Sequence, residues 1–81
     1  MLMSIPPESI QVGQCYLTNS GQVRRVIAVM ADGRVRYERR PGDTPDAPWQ
    51  EAMQELAIFA ALAEGEVPCD LGPAPEFLGI G

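Results

Sequence analysis

The sequence predicts an α+β domain: a strongly bent antiparallel β-meander, closing as a partly open barrel, with one C-terminal α-helix packed on it. Three observations carry this. Valine- and isoleucine-bearing segments separated by glycine-containing turns fill residues 11–40, the pattern of short strands in succession. Residues 49–64 place apolar side chains at helical spacing. All six basic residues are arginines, and all lie between Arg24 and Arg40, on the central hairpin of the meander.

Length and composition bound the rest. A chain of 81 residues makes one domain. At that size roughly 60% of the unfolded surface is buried, so the core is small. An apolar fraction of 46% against 21% charged residues reads as globular. No apolar run approaches the roughly 20 residues that span a bilayer. The opening Met-Leu-Met-Ser-Ile-Pro-Pro lacks the basic and continuous apolar parts of a secretory signal, so a cytoplasmic location is expected. The chain divides into an irregular N-terminal segment at 1–10, one meander-plus-helix domain at 11–70, and a flexible Pro/Gly-rich tail at 71–81.

Each element follows from local chemistry. Pro6 and Pro7 bar a helix interior near the start. Residues 11–18 read as a first strand around Cys15, Tyr16 and Leu17. Asn19-Ser20-Gly21 is a turn in which glycine takes positive φ at no steric cost. Residues 22–30 form the strongest strand. Ala31-Asp32-Gly33 makes a three-residue hairpin loop, and residues 34–40 return. That loop length sets Val29 opposite Val35 and Ile27 opposite Tyr37 as an apolar face. The other face then collects Arg24, Arg34, Arg36 and Arg40, with Glu38 among them.

After Pro41-Gly42 and a turn-rich connection, Thr44 or Asp46 would cap a helix over 49–64. Its stripe is Trp49, Ala52, Met53, Leu56, Phe59, Ala60 and Ala63. Trp49, Met53, Leu56 and Phe59 are expected to close on Ile27, Val29, Val35 and Tyr37. Gly65 is placed as the C-cap. Ile58 and Leu62 fall behind the stripe, where a free helix is polar. Two readings stand for them: cover by Val67, Leu71 or Phe77, or contact with another chain, including a second copy.

The chemistry on offer is narrow. Histidine is absent, which removes the commonest general base and the Ser/His and Cys/His pairs. Glycines 13, 21 and 33 are spaced as turn residues rather than as a phosphate cradle. Cys15 and Cys69 have no partners at metal-ligand spacing. Without an export signal they are expected as reduced thiols, with a disulfide as the alternative. No catalytic residue, metal site or cofactor is assigned. The charge distribution is the remaining clue. Residues 24–40 carry a net +4 and residues 41–81 a net −8, within a chain of net charge −5. The hairpin arginines would bind an acidic partner, bind phosphate, or pair internally with Glu38, Glu51 and Glu55. The arginine-only basic set suits a GC-rich bacterial genome.

Val12-Gly13-Gln14-Cys15-Tyr16, Gly21-Gln22-Val23-Arg24-Arg25-Val26 and Asp32-Gly33-Arg34-Val35-Arg36-Tyr37 together resemble the opening strands of SH3-like small barrels, including the KOW and Tudor-type variants. The resemblance covers residues 11–40. It implies a bent, glycine-punctuated meander, and it carries over no functional residue. The expected function is a small non-enzymatic binding or adaptor module acting on a protein partner. Arg24, Arg34, Arg36, Arg40, Ile58 and Leu62 are its candidate contact residues. The alternative is a nucleic-acid-associated accessory protein using the Arg-rich hairpin.

Overall fold

The computed structural model describes residues 5–72. Five strands form one antiparallel sheet: β1 (Cys15–Thr18), β2 (Gln22–Val29), β3 (Arg34–Pro41), β4 (Gln50–Glu55) and β5 (Ala63–Val67). A short helix, α1 (Leu56–Leu62), joins β4 to β5, and a single 3-10 turn at Pro7–Ser9 precedes β1. The order across the sheet is β4-β3-β2-β1-β5, so the sheet is open and its last two strands occupy opposite edges. The chain therefore crosses one face between them, and α1 lies on that face. The α+β class and the helix packed on a meander match the expectation. The strand count does not: five strands stand where three were expected.

The difference arises at residues 49–64, expected as one helix. Gln50–Glu55 pairs with β3 from Arg39↔Gln50 to Arg34↔Glu55. Gln, Glu, Ala and Met all favour helix, yet propensity is a weak prior against a paired partner. Seen as a strand, Ala52 and Gln54 turn inward while Glu51, Met53 and Glu55 turn outward. Neither Thr44 nor Asp46 caps a helix, because the loop after Gly42 leads into β4. The helix that forms is seven residues long and ends at Leu62, with Ala63 as its C-cap. Gly65, expected as its cap, lies in β5 opposite Leu17.

The β2–β3 turn follows the expected form. Met30 N–H donates to the Arg34 carbonyl at 2.7 Å, and Gly33 takes φ +89°, a left-handed conformation open to glycine. Val29↔Val35 and Ala28↔Arg36 pair as expected. Ile27 then has no partner, and the next pair is Val26↔Tyr37. This is a β-bulge: one extra residue on β2. From Val26 back to Gln22 every side chain is turned to the face opposite the one expected. Arg24 joins Tyr37 on the helix face, and Arg25, in place of Val26, stands opposite Glu38.

The core lies between the helix face and α1. Tyr16, Val26, Val35, Tyr37, Phe59 and Ala60 are buried together, with Ile10 and Ala63. Phe59 meets Tyr16 and Tyr37 edge-on at centroid distances of 6.0 and 5.0 Å. Leu56 packs at the margin. Met53 and Val29, expected inside, are exposed, and Ile27 sits half-buried in the bulge. Trp49 lies outside this cluster, for β4 begins after it. Residues 5–10, expected to be irregular, are built in: Ile10 is a core residue, and Ile5 N–H bonds the Ala60 carbonyl. The expected tail begins at 71, and its residues 73–81 lie outside the described ones.

Cys15 and Cys69 form a disulfide with a Cα–Cα distance of 5.1 Å, which corrects the expectation of free thiols. It joins β1 to the segment after β5, across a sequence separation of 54 residues. Residues this far apart in sequence meet because β5 returns to pair with β1, setting Val67 opposite Cys15. Chain-entropy arithmetic for a loop of this length gives about 4 kcal/mol of stabilisation. The double variant Cys15→Ser, Cys69→Ser is expected to lose about that much in urea unfolding, and reductant should lower the parent's midpoint but leave the variant's unchanged. A second expectation separates the two large aromatic positions. Phe59→Ala should cost about 3–5 kcal/mol, and Trp49→Ala distinctly less, read from the same urea curves.

Candidate functional site

Strands alternate their side chains, so the Arg24-Arg25 and Arg39-Arg40 dipeptides must each divide between the two faces. Arg25 and Arg40 lie on the face away from α1. Arg24 and Arg39 lie opposite one another on the helix face.

Arg40 is only 2% exposed. Its Nη1 donates to the Pro41 carbonyl at 2.9 Å, and its Nη2 to the carbonyls of Cys69 and Leu71, both at 2.8 Å. Its Nε is buried without an acceptor. The Trp49 ring lies 5.1 Å from the Arg40 guanidinium and 4.6 Å from that of Arg25. Cation–π attraction of this kind strengthens as water is excluded. Trp49 is thus the cover of two arginines rather than the start of a helix stripe. The disulfide fixes Cys69, and with it the carbonyls that hold Arg40.

Arg24 is 9% exposed. It stacks over Tyr37 at 4.8 Å, and its donors reach the side-chain oxygens of Gln22 and Gln54 at 3.2 and 3.0 Å. Burial lowers its pKa from the ordinary arginine value. The Tyr37 hydroxyl offsets part of that, and the like charge of Arg39 adds to it. No carboxylate bridges Arg24, Arg39 or Arg40 among the described residues. The ion pairs there are Arg25–Glu38, Arg34–Asp32 and Arg36–Glu51. Of the pairing expected for the hairpin, Glu38 and Glu51 take their part, with Arg25 and Arg36, while Arg34 turns to Asp32 and Glu55 bridges none of the described arginines.

Beside the unpaired set lies a cleft of about 830 Å³ at the loop end of the sheet. Arg39, Arg40, Gln22 and Gln50 contribute polar groups to its wall, and Leu17 and Pro48 contribute apolar ones. Gly42 shapes the wall by close approach: its N–H bonds the Gly21 carbonyl at 2.8 Å, and an added Cβ would stand 2.6 Å from that oxygen. The cleft has no imidazole, and both cysteines are held in the bridge. Its wall offers guanidinium, amide and apolar surface, with the carboxylate of Asp43.

The six sequence-predicted residues separate. Arg40 lines the cleft. Arg34 and Arg36 remain on the face with Arg40, nearer the hairpin tip and paired with acids. Arg24 has moved to the helix face through the bulge. Ile58 is 44% exposed on α1 and Leu62 is half-buried, neither in the cleft. Val67 and Leu71, offered as their cover, lie elsewhere: Val67 pairs with Cys15, and the Leu71 carbonyl holds Arg40. Phe77 lies outside the described residues. Sequence reasoning missed Arg39, Gln22 and Gln50. The Arg-Arg dipeptide at 39–40 was the available signal, since alternation forces one of the two to the helix face.

Replacing Arg40 tests how the cleft wall is held. Arg40→Met should cost at least about 3 kcal/mol in urea unfolding, because three carbonyls lose their donor. Arg40→Lys should recover little, since one ammonium cannot reproduce a planar fork that spans two nitrogens.

No family model matches the chain, and neither the curated proteins nor the solved structures include a match to it.

Proposed function

We propose that this chain is a small non-enzymatic protein-interaction module of SH3-like architecture, left open as a sheet, that receives its partner in the cleft at the loop end. The cleft is the observation that carries the reading. Its volume of about 830 Å³ falls within the roughly 300–1,000 Å³ of clefts that take small ligands or short segments. It is framed by turns and loops on a sheet braced by a disulfide, the usual division between recognition loops and rigid scaffold. The SH3-like assignment draws support from the strand order: the first four strands run as a meander, and the fifth returns to pair with the first. A binding role is favoured over catalysis because the chain lacks histidine and both thiols are consumed.

The nucleic-acid alternative has less behind it. Arg25, Arg34 and Arg36 already bridge to acids. Trp49, the largest stacking surface, is covered by Arg25 and Arg40. The cytoplasmic expectation also loses ground to the disulfide, since such bonds persist chiefly in oxidising compartments. Among the described residues no helix is long and apolar enough to cross a membrane.

Selection of an unbiased displayed peptide library on the oxidised full chain tests the module reading. Enriched peptides are expected to shift the amide resonances of Gln22, Gly42 and Gln50. Enrichment of peptides that shift only α1, around Ile58 and Leu62, would move the interface off the cleft. Binding of a mixed oligonucleotide at physiological salt, with affinity falling steeply as salt rises, would favour the alternative instead.

A further inference from the structure

At one end of β2 and β3 three arginines make no ion pair among the described residues, two on the helix face and Arg40 on the other. Arg24 and Arg39 are direct cross-strand neighbours, and Arg40 follows Arg39. Like charges directly opposite on a sheet destabilise it. Burying a guanidinium without a counter-ion adds a desolvation cost. The chain has acids to spare, eleven against six arginines, yet among the described residues none pairs with these three, and Asp43 is the one carboxylate on the cleft wall. Arg24 and Arg40 find neutral acceptors. Arg39 makes no side-chain hydrogen bond or ion pair within the described residues, and it lines the cleft. Beside it, Gln22 keeps its amide donors, since only its oxygen is engaged, by Arg24. Gln50 also lines the cleft, directly opposite Arg39 on β4.

From this we infer that the cleft binds an acidic peptide segment of the partner, with a side-chain or terminal carboxylate seated against Arg39 and flanking apolar residues against Leu17, Pro48 and Leu71. The inference rests on the protein-interaction reading and names the chemistry of its partner. A guanidinium fork matches a carboxylate in two parallel bonds. The buried charge of Arg40 adds a field that water screens poorly. The apolar wall selects a peptide over a nucleotide, whose sugar and phosphates would leave it unfilled. Asp43 on the cleft wall and the net charge of −5 select a singly acidic segment over a polyanion.

The test uses the oxidised full chain and blocked peptides that carry one glutamate among leucines, with glutamine counterparts. Inorganic phosphate and a short single-stranded oligonucleotide serve as competing probes. The glutamate peptides should shift the amides of Ser20, Gln22, Arg39, Gly42 and Gln50. Affinity should fall about tenfold or more in the glutamine counterparts, the scale of one lost charge-assisted hydrogen bond. Arg39→Gln, a partly exposed position, should abolish the preference while leaving the urea midpoint near the parent's. If the cleft amides shift equally with glutamate and glutamine peptides, the carboxylate inference is overturned and the module reading survives. If no peptide shifts any amide at millimolar concentration, both fall. Phosphate or oligonucleotide shifting the same amides in place of the peptides would overturn the peptide assignment.

Discussion

The bulge at Ile27 determines what each face of the sheet carries. An antiparallel pair in unbroken register would place Arg24 with Arg40 and Glu38 on the face away from α1. One unpaired residue turns the inner half of β2 over while leaving its outer half untouched. Val26 thereby reaches Tyr37 and enters the core, and Arg25 reaches Glu38. Arg24 is carried inward and comes to lie beside Arg39. The place of Val26 in the core, the surface ion pair and the Arg24–Arg39 neighbourhood are three results of one local event. Removing the bulge would rescue none of them singly, because alternation moves every side chain of the segment at once.

The structure holds its buried charges by a common device. Neither Arg24 nor Arg40 has an anion; each has an aromatic face and neutral oxygens. For Arg40 these are Trp49 and three backbone carbonyls; for Arg24 they are Tyr37 and two side-chain amides. Arginine tolerates this better than lysine because its charge is spread over a weakly hydrated plane. The same device ties distant parts of the chain together. Arg40 links the end of β3 to the segment after β5, and Arg24 links β2 to β4. Both arginines act as cross-links between strands as well as charges.

Legibility in the sequence follows the range of the forces involved. The β2–β3 turn was legible because its determinants are local: a three-residue loop with glycine in the position that needs positive φ. The buried face of α1 at Phe59 and Ala60, with Leu56 at its margin, was also legible, at helical spacing. The segment before it was not. In residues 50–55 local propensity favours helix, and only pairing with β3 makes a strand. The disulfide was hidden for the same reason, since nothing near Cys15 or Cys69 reports that β5 returns to β1. The bulge was the costliest omission. It left the identity of the arginines on each face misassigned, and the cleft unseen behind them. A cleft framed by two turns, two strand ends and the segment after β5 has no signature in any one stretch of sequence.

The Cys15–Cys69 bond also sets how the fold meets mechanical load. Every strand lies within the covalent ring that it closes, apart from the hydrogen bonds that flank it. Tension applied between a point before Cys15 and a point after Cys69 runs through β-carbons and sulfurs and bypasses the sheet. Only chain outside the ring can lengthen. While the bond is intact, the strands and the cleft they frame are shielded from pulling along the chain. Reduction would transfer the full load to the β1–β5 pairing, the contact that otherwise brings the two cysteines together.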